Sequence, residues 1–336
     1  MTRPGVLITR TIPDSVIDRV AAVCDVDVYR GEAAIGRGEL KARLAGRQAL
    51  MCLLTDRIDG DVLDAEPGLR IVANIAVGFD NVDRAAARAR GIIVTNTPDV
   101  LTEATADLTW GLILDATRRI SEGERLVRRG EWKGWALDFL LGSDLRGKQL
   151  GIVGFGRIGR AVAARAPGFG MRVVYATLDD DGPVEGAACS APAASSNSDG
   201  LVGGARRVPI PELIATSDVI SLHVPLTPDT RHLIDAASLA TMKRGAYVIN
   251  TSRGPVIDEA ALAVALRDRR IAGAALDVYE REPLLHPDLL TLENVVLAPH
   301  IGSATVETRT AMADLAARNV LEVLAGRPPL TPVPLG

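Results

Sequence analysis

The chain has 336 residues, enough for two domains that each bury an apolar interior. Its 38 Lys and Arg against 42 Asp and Glu leave a net charge of -4, with no basic stripe to neutralise a phosphate backbone, so nucleic acid is not an expected partner. No apolar run reaches the roughly 18 residues of a membrane span, and Val6-Leu7-Ile8 behind Met1-Thr2-Arg3-Pro4 is too brief for a signal peptide, so a cytoplasmic protein with no membrane partner is expected.

Short apolar runs at Val6 to Ile8, Ala49 to Leu54, Ile71 to Val77 and Ile92 to Val94 alternate with charged or Ala-rich stretches, the rhythm of a parallel α/β sheet. Thr102 to Arg129 is long and amphipathic and suits a connecting helix, with a loop after it at Gly130-Glu131-Trp132-Lys133-Gly134-Trp135. The strand rhythm then restarts at Gln149 to Gly154 and continues at Arg172 to Tyr175, Val219 to Leu222, Ala246 to Asn250, Gly273 to Val278 and Val295 to Ala298. Two doubly wound parallel sheets follow from this, with the crossing near residue 101. Gly182 to Gly204 is rich in Ala, Ser, Gly and Asp without a period and reads as a mobile loop. A final helix, about Val306 to Leu324, carries Met312, Leu315, Ala316, Val320 and Leu324 on one face and is placed to return to the first domain. Cys24, Cys52 and Cys189 lack the paired spacings of a zinc or disulfide framework, and no metal is expected.

Gly154-Phe155-Gly156-Arg157-Ile158-Gly159 directly follows one apolar strand and opens a helix. In that context Gly154 permits the tight turn, Gly156 lets the backbone approach a pyrophosphate, and Gly159 allows close packing of helix on strand, while the helix N-terminus offers N–H donors to the anion. A glycine-rich turn without a ligand is the plainer alternative. The strand Met171 to Tyr175 then runs into Ala176-Thr177-Leu178-Asp179-Asp180-Asp181, where the residue that meets the adenine ribose belongs. With Thr177 there, the ribose 2′-hydroxyl loses its usual carboxylate; with Asp179 or Asp180 there, a 2′-phosphate is repelled. The aspartates lean the expectation toward NADH over NADPH, unless Arg206-Arg207 fold back from beyond the loop.

Three features lie at successive strand carboxyl ends, where ligands of open parallel sheets collect: Thr251-Ser252-Arg253-Gly254, Asp277 to Glu282, and Pro299-His300. Arg253 can grip a carboxylate with two parallel hydrogen bonds. His300 can hand a proton to a keto oxygen as hydride arrives at carbon, and Glu282 beside it would favour the imidazolium. An Arg that ties loops together and a Glu that serves the turn before Pro283 are the structural alternatives. Of the four histidines, His223 also ends a strand, but Val224-Pro225 after it reads as a wall for an adenine ring.

With these residues assembled, the chain resembles the D-2-hydroxyacid dehydrogenase family over nearly its whole length. The motifs run through Ala73 to Asp83, Asn96-Thr97-Pro98-Asp99, Glu103-Ala104-Thr105-Ala106-Asp107, the glycine motif, Asn250 to Glu259, Leu276 to Pro283, and Pro299-His300-Ile301-Gly302-Ser303. The resemblance implies that Arg253 binds substrate, that Glu282 and His300 form the acid–base pair, and that Asp277 meets the nicotinamide carboxamide. Val77 and Gly78 match the loop whose backbone N–H groups hold the substrate carboxylate. Ser303 joins the substrate side, and Thr105, Arg157, Ile158, Thr177, His223, Pro225 and Thr251 the cofactor side. The resemblance also implies a flavodoxin-like substrate domain, 1–101 with 300–336, a Rossmann cofactor domain, 102–299, and a homodimer formed by the cofactor domains. Trp132-Lys133-Gly134-Trp135 and Phe139 to Gly142 are similar to the glyoxylate and hydroxypyruvate reductase branch, where an aromatic from the partner subunit, here Trp135, caps the pocket. The expected reaction is reduction of a small 2-keto acid by NADH or NADPH. A dinucleotide-sensing corepressor is the alternative of another class; nothing in the chain resembles a peptide-docking extension.

Overall fold

The computed structural model describes residues 3–178, 201–202 and 204–335. The chain divides into two compact units, Met1–Leu101 with Ser303–Gly336, and Thr102–Gly302. Asp179 to Asp181 and Cys189 lie outside the described residues, as does the expected loop Gly182 to Gly204 except at its end. Among the described residues no helix is long and apolar enough to cross a membrane.

The first unit holds a parallel sheet of β1 (Gly5–Ile8), β2 (Asp25–Val28), β3 (Ala49–Cys52), β4 (Ile71–Asn74) and β5 (Ile93–Thr95), in the order β2-β1-β3-β4-β5. Strands covered on both faces have no solvent side to mark with polar residues, so β1, β3 and β4 read as continuous runs, GVLI, ALMC and IVAN, and every one of these residues is buried. β2 is different: its sequence is DVDV and it forms a sheet edge with no fully buried residue, which is why an apolar run does not betray it. The helix Val306–Leu324 packs on β3, β4 and the helix Asp14–Ala21. Its buried face centres on Ala313, Ala316, Ala317 and Val320, small side chains that allow close approach to a sheet; Leu315 and Leu324, expected on that face, are displaced to its half-buried flanks.

The second unit contains β6 (Gln149–Val153), β7 (Arg172–Ala176), β8 (Leu201–Val202), β9 (Ala205–Arg207), β10 (Val219–Leu222), β11 (Tyr247–Asn250), β12 (Gly273–Leu276) and β13 (Val295–Leu297). Their order is β13-β12-β11-β10-β6-β7-β9-β8, parallel throughout except for β8, which pairs antiparallel with β9. The order reverses between β6 and β10, so a crevice opens at the carboxyl end of β6. Apolar clusters cover both faces, one including Leu213, Ile220 and Leu262, the other Trp110, Phe155 and Ile249.

The single helix expected over Thr102 to Arg129 is two helices, Thr102–Arg118 and Ile120–Arg128. Arg119 between them has a φ of 56°, left-handed backbone that ends the first helix. The Asp115 carboxylate then turns away from its own helix to accept hydrogen bonds from the Ser121 N–H at 2.7 Å and the Ser121 hydroxyl, satisfying donors at the start of the second.

Candidate active site

At the reversal of strand order, β6 ends at Val153 and the helix Arg157–Arg165 begins. Gly154 has a φ of 92°, and a Cβ there would lie 2.5 Å from the His223 carbonyl oxygen. A Cβ at Gly159 would lie 2.1 Å from the Gly154 carbonyl oxygen, so helix and loop touch only because both positions are glycine. Gly156 is the opposite case: an added Cβ meets nothing within 4 Å, leaving the helix-capping backbone open to a ligand. Arg157 and Ile158 form the first turn of that helix. Two clash-limited glycines around one open one, with helix N–H groups behind, fit a pyrophosphate.

The neighbouring elements complete this face. Phe155 stacks on Tyr175 of β7 with ring centroids 3.9 Å apart, and the Gly154 N–H donates to the Ala176 carbonyl at 2.8 Å, which ties the glycine loop to the end of β7. Thr177 follows directly, and its hydroxyl oxygen accepts a hydrogen bond from the Arg207 guanidinium at 3.0 Å. His223 stands just past β10, 2.8 Å from the Ser221 hydroxyl; desolvation pulls its pKa down to about 3, so its ring is neutral. Pro225 is held through its carbonyl, which accepts from the Thr230 hydroxyl at 2.7 Å. Thr251 past β11 sits 3.0 Å from the Thr109 hydroxyl, and Thr105, one helical turn earlier, donates to the Gly302 carbonyl at 3.2 Å.

The groups suited to proton transfer come from three further strand ends of the same unit. Past β11, Asn250 organises the turn: its side-chain oxygen accepts from the Ser252 N–H at 3.0 Å and hydroxyl at 2.8 Å, and its amide donates to the Arg253 carbonyl at 2.9 Å. Gly254 is obligatory, since a Cβ there would overlap the Tyr279 backbone at 1.8 Å. Past β12, Asp277 is buried and accepts from the Ile301 N–H at 2.7 Å and the Gly302 N–H at 2.8 Å, one on each oxygen. Burial raises its pKa, against these two hydrogen bonds and the charge of His300. Each oxygen keeps a second lone pair for another donor.

Asp277 thus holds the two residues that follow His300, and His300 itself has a left-handed φ of 54°. Its Nδ1 lies 2.8 Å from Glu282 Oε2, while the other Glu282 oxygen accepts the Tyr279 N–H at 3.0 Å. Burial pushes the Glu282 carboxyl up, but the hydrogen bond and charge of His300, with the Tyr279 N–H and the Arg253 charge, bring it below its ordinary value. The carboxylate is therefore ionised, Nδ1 is committed to it, and Nε2 is the nitrogen through which the ring can serve another group. The structure brings Arg253, Asp277, Glu282 and His300 together electrostatically, as the mutual influences on these carboxyls show.

Other expected site residues belong elsewhere. Val77 and Gly78 follow β4 in the first unit. The Ala76 carbonyl accepts the Thr97 N–H at 2.9 Å and the Val77 carbonyl accepts the Asn96 amide at 2.8 Å. Because N–H and C=O of a trans peptide point oppositely, these bonds fix the direction of the Val77 and Gly78 N–H groups. Ser303 opens the return segment of that unit. Trp135 is 82% exposed in the second unit. One residue outside the expected set stands here, Asn250, which shows in the sequence only within a long motif; of the pair Arg206-Arg207 left open to fold back, Arg207 reaches Thr177.

A dinucleotide cradle with an imidazole–carboxylate pair and a guanidinium on nearby strand ends is the equipment of a nicotinamide-dependent oxidoreductase. The model of the D-isomer specific 2-hydroxyacid dehydrogenase NAD binding domain matches residues 110–302. A glyoxylate reductase of Thermofilum pendens is 45% identical over 333 residues, 98% of this chain and 94% of its own. A solved protein of Thermus thermophilus is 45% identical with a TM-score of 0.88, covering 98% of this chain and 100% of its own. An NADPH-dependent glyoxylate/hydroxypyruvate reductase of Sinorhizobium meliloti, solved with NADP and malonate, is 35% identical with a TM-score of 0.85, covering 99% and 98%. The chain belongs to the D-isomer specific 2-hydroxyacid dehydrogenase family and is an NAD(P)-dependent oxidoreductase that reduces a keto acid.

Proposed function

We propose that the protein reduces glyoxylate or hydroxypyruvate to the 2-hydroxy acid, with His300 as proton donor, Glu282 as its charge partner and Arg253 as the carboxylate clamp. The observation that carries this reading is the 2.8 Å contact of His300 Nδ1 with an ionised Glu282. It fixes the ring and leaves Nε2 as the nitrogen to protonate the keto oxygen while the reduced nicotinamide supplies hydride to the carbon. The substrate choice is supported by the relatives at 45% and 46% identity, which are glyoxylate reductases, and by the Trp132 to Trp135 segment. Asp277 would accept from the nicotinamide carboxamide; the fixed N–H groups of Val77 and Gly78, with Ser303, would hold the substrate carboxylate. Trp135 would act from the partner subunit of a homodimer. The cofactor lean to NADH rests on Asp179 to Asp181, which lie outside the described residues; the described edge carries Arg207 beside Thr177 instead.

The test is a steady-state screen of glyoxylate, hydroxypyruvate, pyruvate and phenylpyruvate with both reduced cofactors, on wild type and His300→Ala. The expected result is preference for the first two, and a loss of roughly a hundredfold or more in kcat for the variant with dinucleotide affinity unchanged. Near wild-type turnover of His300→Ala would remove the proton-donor assignment.

A further inference from the structure

Glu259 is a buried carboxyl that the proton-transfer scheme does not use. It opens the helix Glu259–Arg267 behind Asp258, whose carboxylate caps the helix by accepting the Ala261 N–H at 3.0 Å. Glu259 itself is 4% exposed, and a glutamate is rarely buried so far without partners. Those it has are backbone N–H groups of one loop: Oε1 accepts from the Glu280 N–H at 2.7 Å, and the His286 N–H hydrogen-bonds the same carboxyl. Burial raises its pKa against these two bonds. Glu280 and His286 stand on either side of Glu282. Between them the chain turns back on itself, the Leu284 N–H donating to the Arg281 carbonyl at 2.9 Å, and Arg281, Pro283 and Leu284 are exposed. The bracket is reciprocal, since Glu280 Oε2 accepts from the Glu259 N–H at 3.4 Å while Glu280 Oε1 lies 2.6 Å from His232 Nε2. His232 in turn donates its N–H to the Pro255 carbonyl at 2.8 Å, in the turn that Arg253 begins.

We propose that Glu259 is a positioning residue for the acid–base pair: by holding the N–H groups on both sides of Glu282 it fixes the pose in which Glu282 meets His300. The inference deepens the proton-donor reading of His300 and Glu282 and rests on it. A loop whose tip is exposed has little apolar contact to keep it in place, so its hydrogen bonds to the fold set its position. The contact it must keep is the 2.8 Å one between Glu282 Oε2 and His300 Nδ1, and a misplacement of about 1 Å at a reacting centre can cost a hundredfold in rate. Because Glu259 binds the backbone of the loop and not the ring, its effect on the reaction passes through Glu282.

The test is a double-mutant cycle on the full chain: kcat and KM for glyoxylate at saturating reduced cofactor in wild type, Glu259→Ala, Glu282→Ala and the double variant, with dinucleotide affinity from reduced-nicotinamide fluorescence. Glu259→Ala is expected to lower kcat by about tenfold or more, to change KM by less than kcat, and to leave dinucleotide affinity as in wild type. The double variant should match Glu282→Ala to within about twofold, because residues that act as one unit do not lose activity independently. Where Glu259→Ala does not fold, Glu259→Asp, which keeps the charge and withdraws the carboxyl by one methylene, takes its place in the cycle with the same expected pattern. Unchanged kcat in the Glu259 variant, an equal loss of dinucleotide affinity, or losses that multiply in the double variant overturns the positioning role and leaves the acid–base reading in place. If Glu282→Ala itself keeps near wild-type kcat, the acid–base reading falls, and this inference with it.

Discussion

Glu282→Gln isolates charge from geometry in the proposed acid. The amide keeps an oxygen for the Tyr279 N–H and places an NH2 where Oε2 now meets His300 Nδ1 at 2.8 Å. That NH2 would donate to Nδ1, which holds the ring in place but commits Nδ1 as an acceptor and removes the negative charge beside it. Opposite unit charges a few ångströms apart interact by ~4 kcal/mol at an effective dielectric of 20. The two side chains are 30% and 28% exposed, so screening reduces this. Reduction at neutral pH should therefore fall by about ten- to a hundredfold. The assay is kcat and kcat/KM for glyoxylate across pH at saturating reduced cofactor. No loss at any pH would refute the charge argument. Stability gives an independent check. The folded-state pKa of Glu282 lies below its ordinary value, so the pairing stabilises the fold above the ordinary glutamate value and the gain is lost as pH falls through the lowered one. The melting-temperature advantage of wild type over Glu282→Gln should shrink accordingly in acid.

Arg253→Lys should raise the KM for glyoxylate by about tenfold or more, since an ammonium cannot reproduce a two-pronged grip; an unchanged KM would mean that backbone groups suffice. Gly159→Ala places a methyl 2.1 Å from the Gly154 carbonyl oxygen and should cost about 1–3 kcal/mol in denaturant unfolding, with weakened binding of both dinucleotides; undiminished affinity would argue against the cradle. Asp277→Ala strips acceptors from the Ile301 and Gly302 N–H groups, a loss of about 1–3 kcal/mol for each left unsatisfied, and kcat should fall with it because the His300 turn is no longer held. Normal turnover in a destabilised Asp277→Ala would separate the two effects.

The parallel sheets were legible because strands buried on both faces have no choice but to be apolar, as in Leu150 to Val153 and Tyr247 to Asn250. Strands at or next to a sheet edge escape that rule: Asp25–Val28 alternates charge with valine, and Ala205–Arg207 ends in two arginines, so neither looks like a strand alone. His300 stood out because the chain has only four histidines, and Arg253 and Glu282 because they fell at neighbouring strand ends. The break at Arg119 was hidden, because a positively charged side chain in a left-handed turn carries no mark distinguishing it from helix. The return of Arg207 to Thr177 could be raised in the sequence only as an alternative: 30 residues separate the pair, and only the β7–β9 register brings them together.

The segment between the second helix of the second unit and β6 bears on assembly. The helix Ile120–Arg128 buries none of its residues within the chain. Ile120 and Val127 on it, then Trp132, Trp135, Leu137 and Leu141 beyond it, are all more than half exposed, Trp135 and Leu137 at 82% and 81%. Six large apolar side chains exposed within one stretch exceed the scattered exposure expected of a monomer, and they are the surface that the proposed homodimer would cover. Burying one such side chain contributes about 1.5–3 kcal/mol, so two removed from a symmetric interface act twice each. Trp135→Ala with Leu137→Asp should therefore convert a dimer to monomer in sedimentation velocity at micromolar concentration. If Trp135 of one subunit also covers the substrate of the other, the monomeric variant should show a raised KM for glyoxylate with dinucleotide affinity unchanged. Dissociation without a change in KM would confine Trp135 to the interface, and a wild type that sediments as a monomer across the concentration range would refute the reading of this surface altogether.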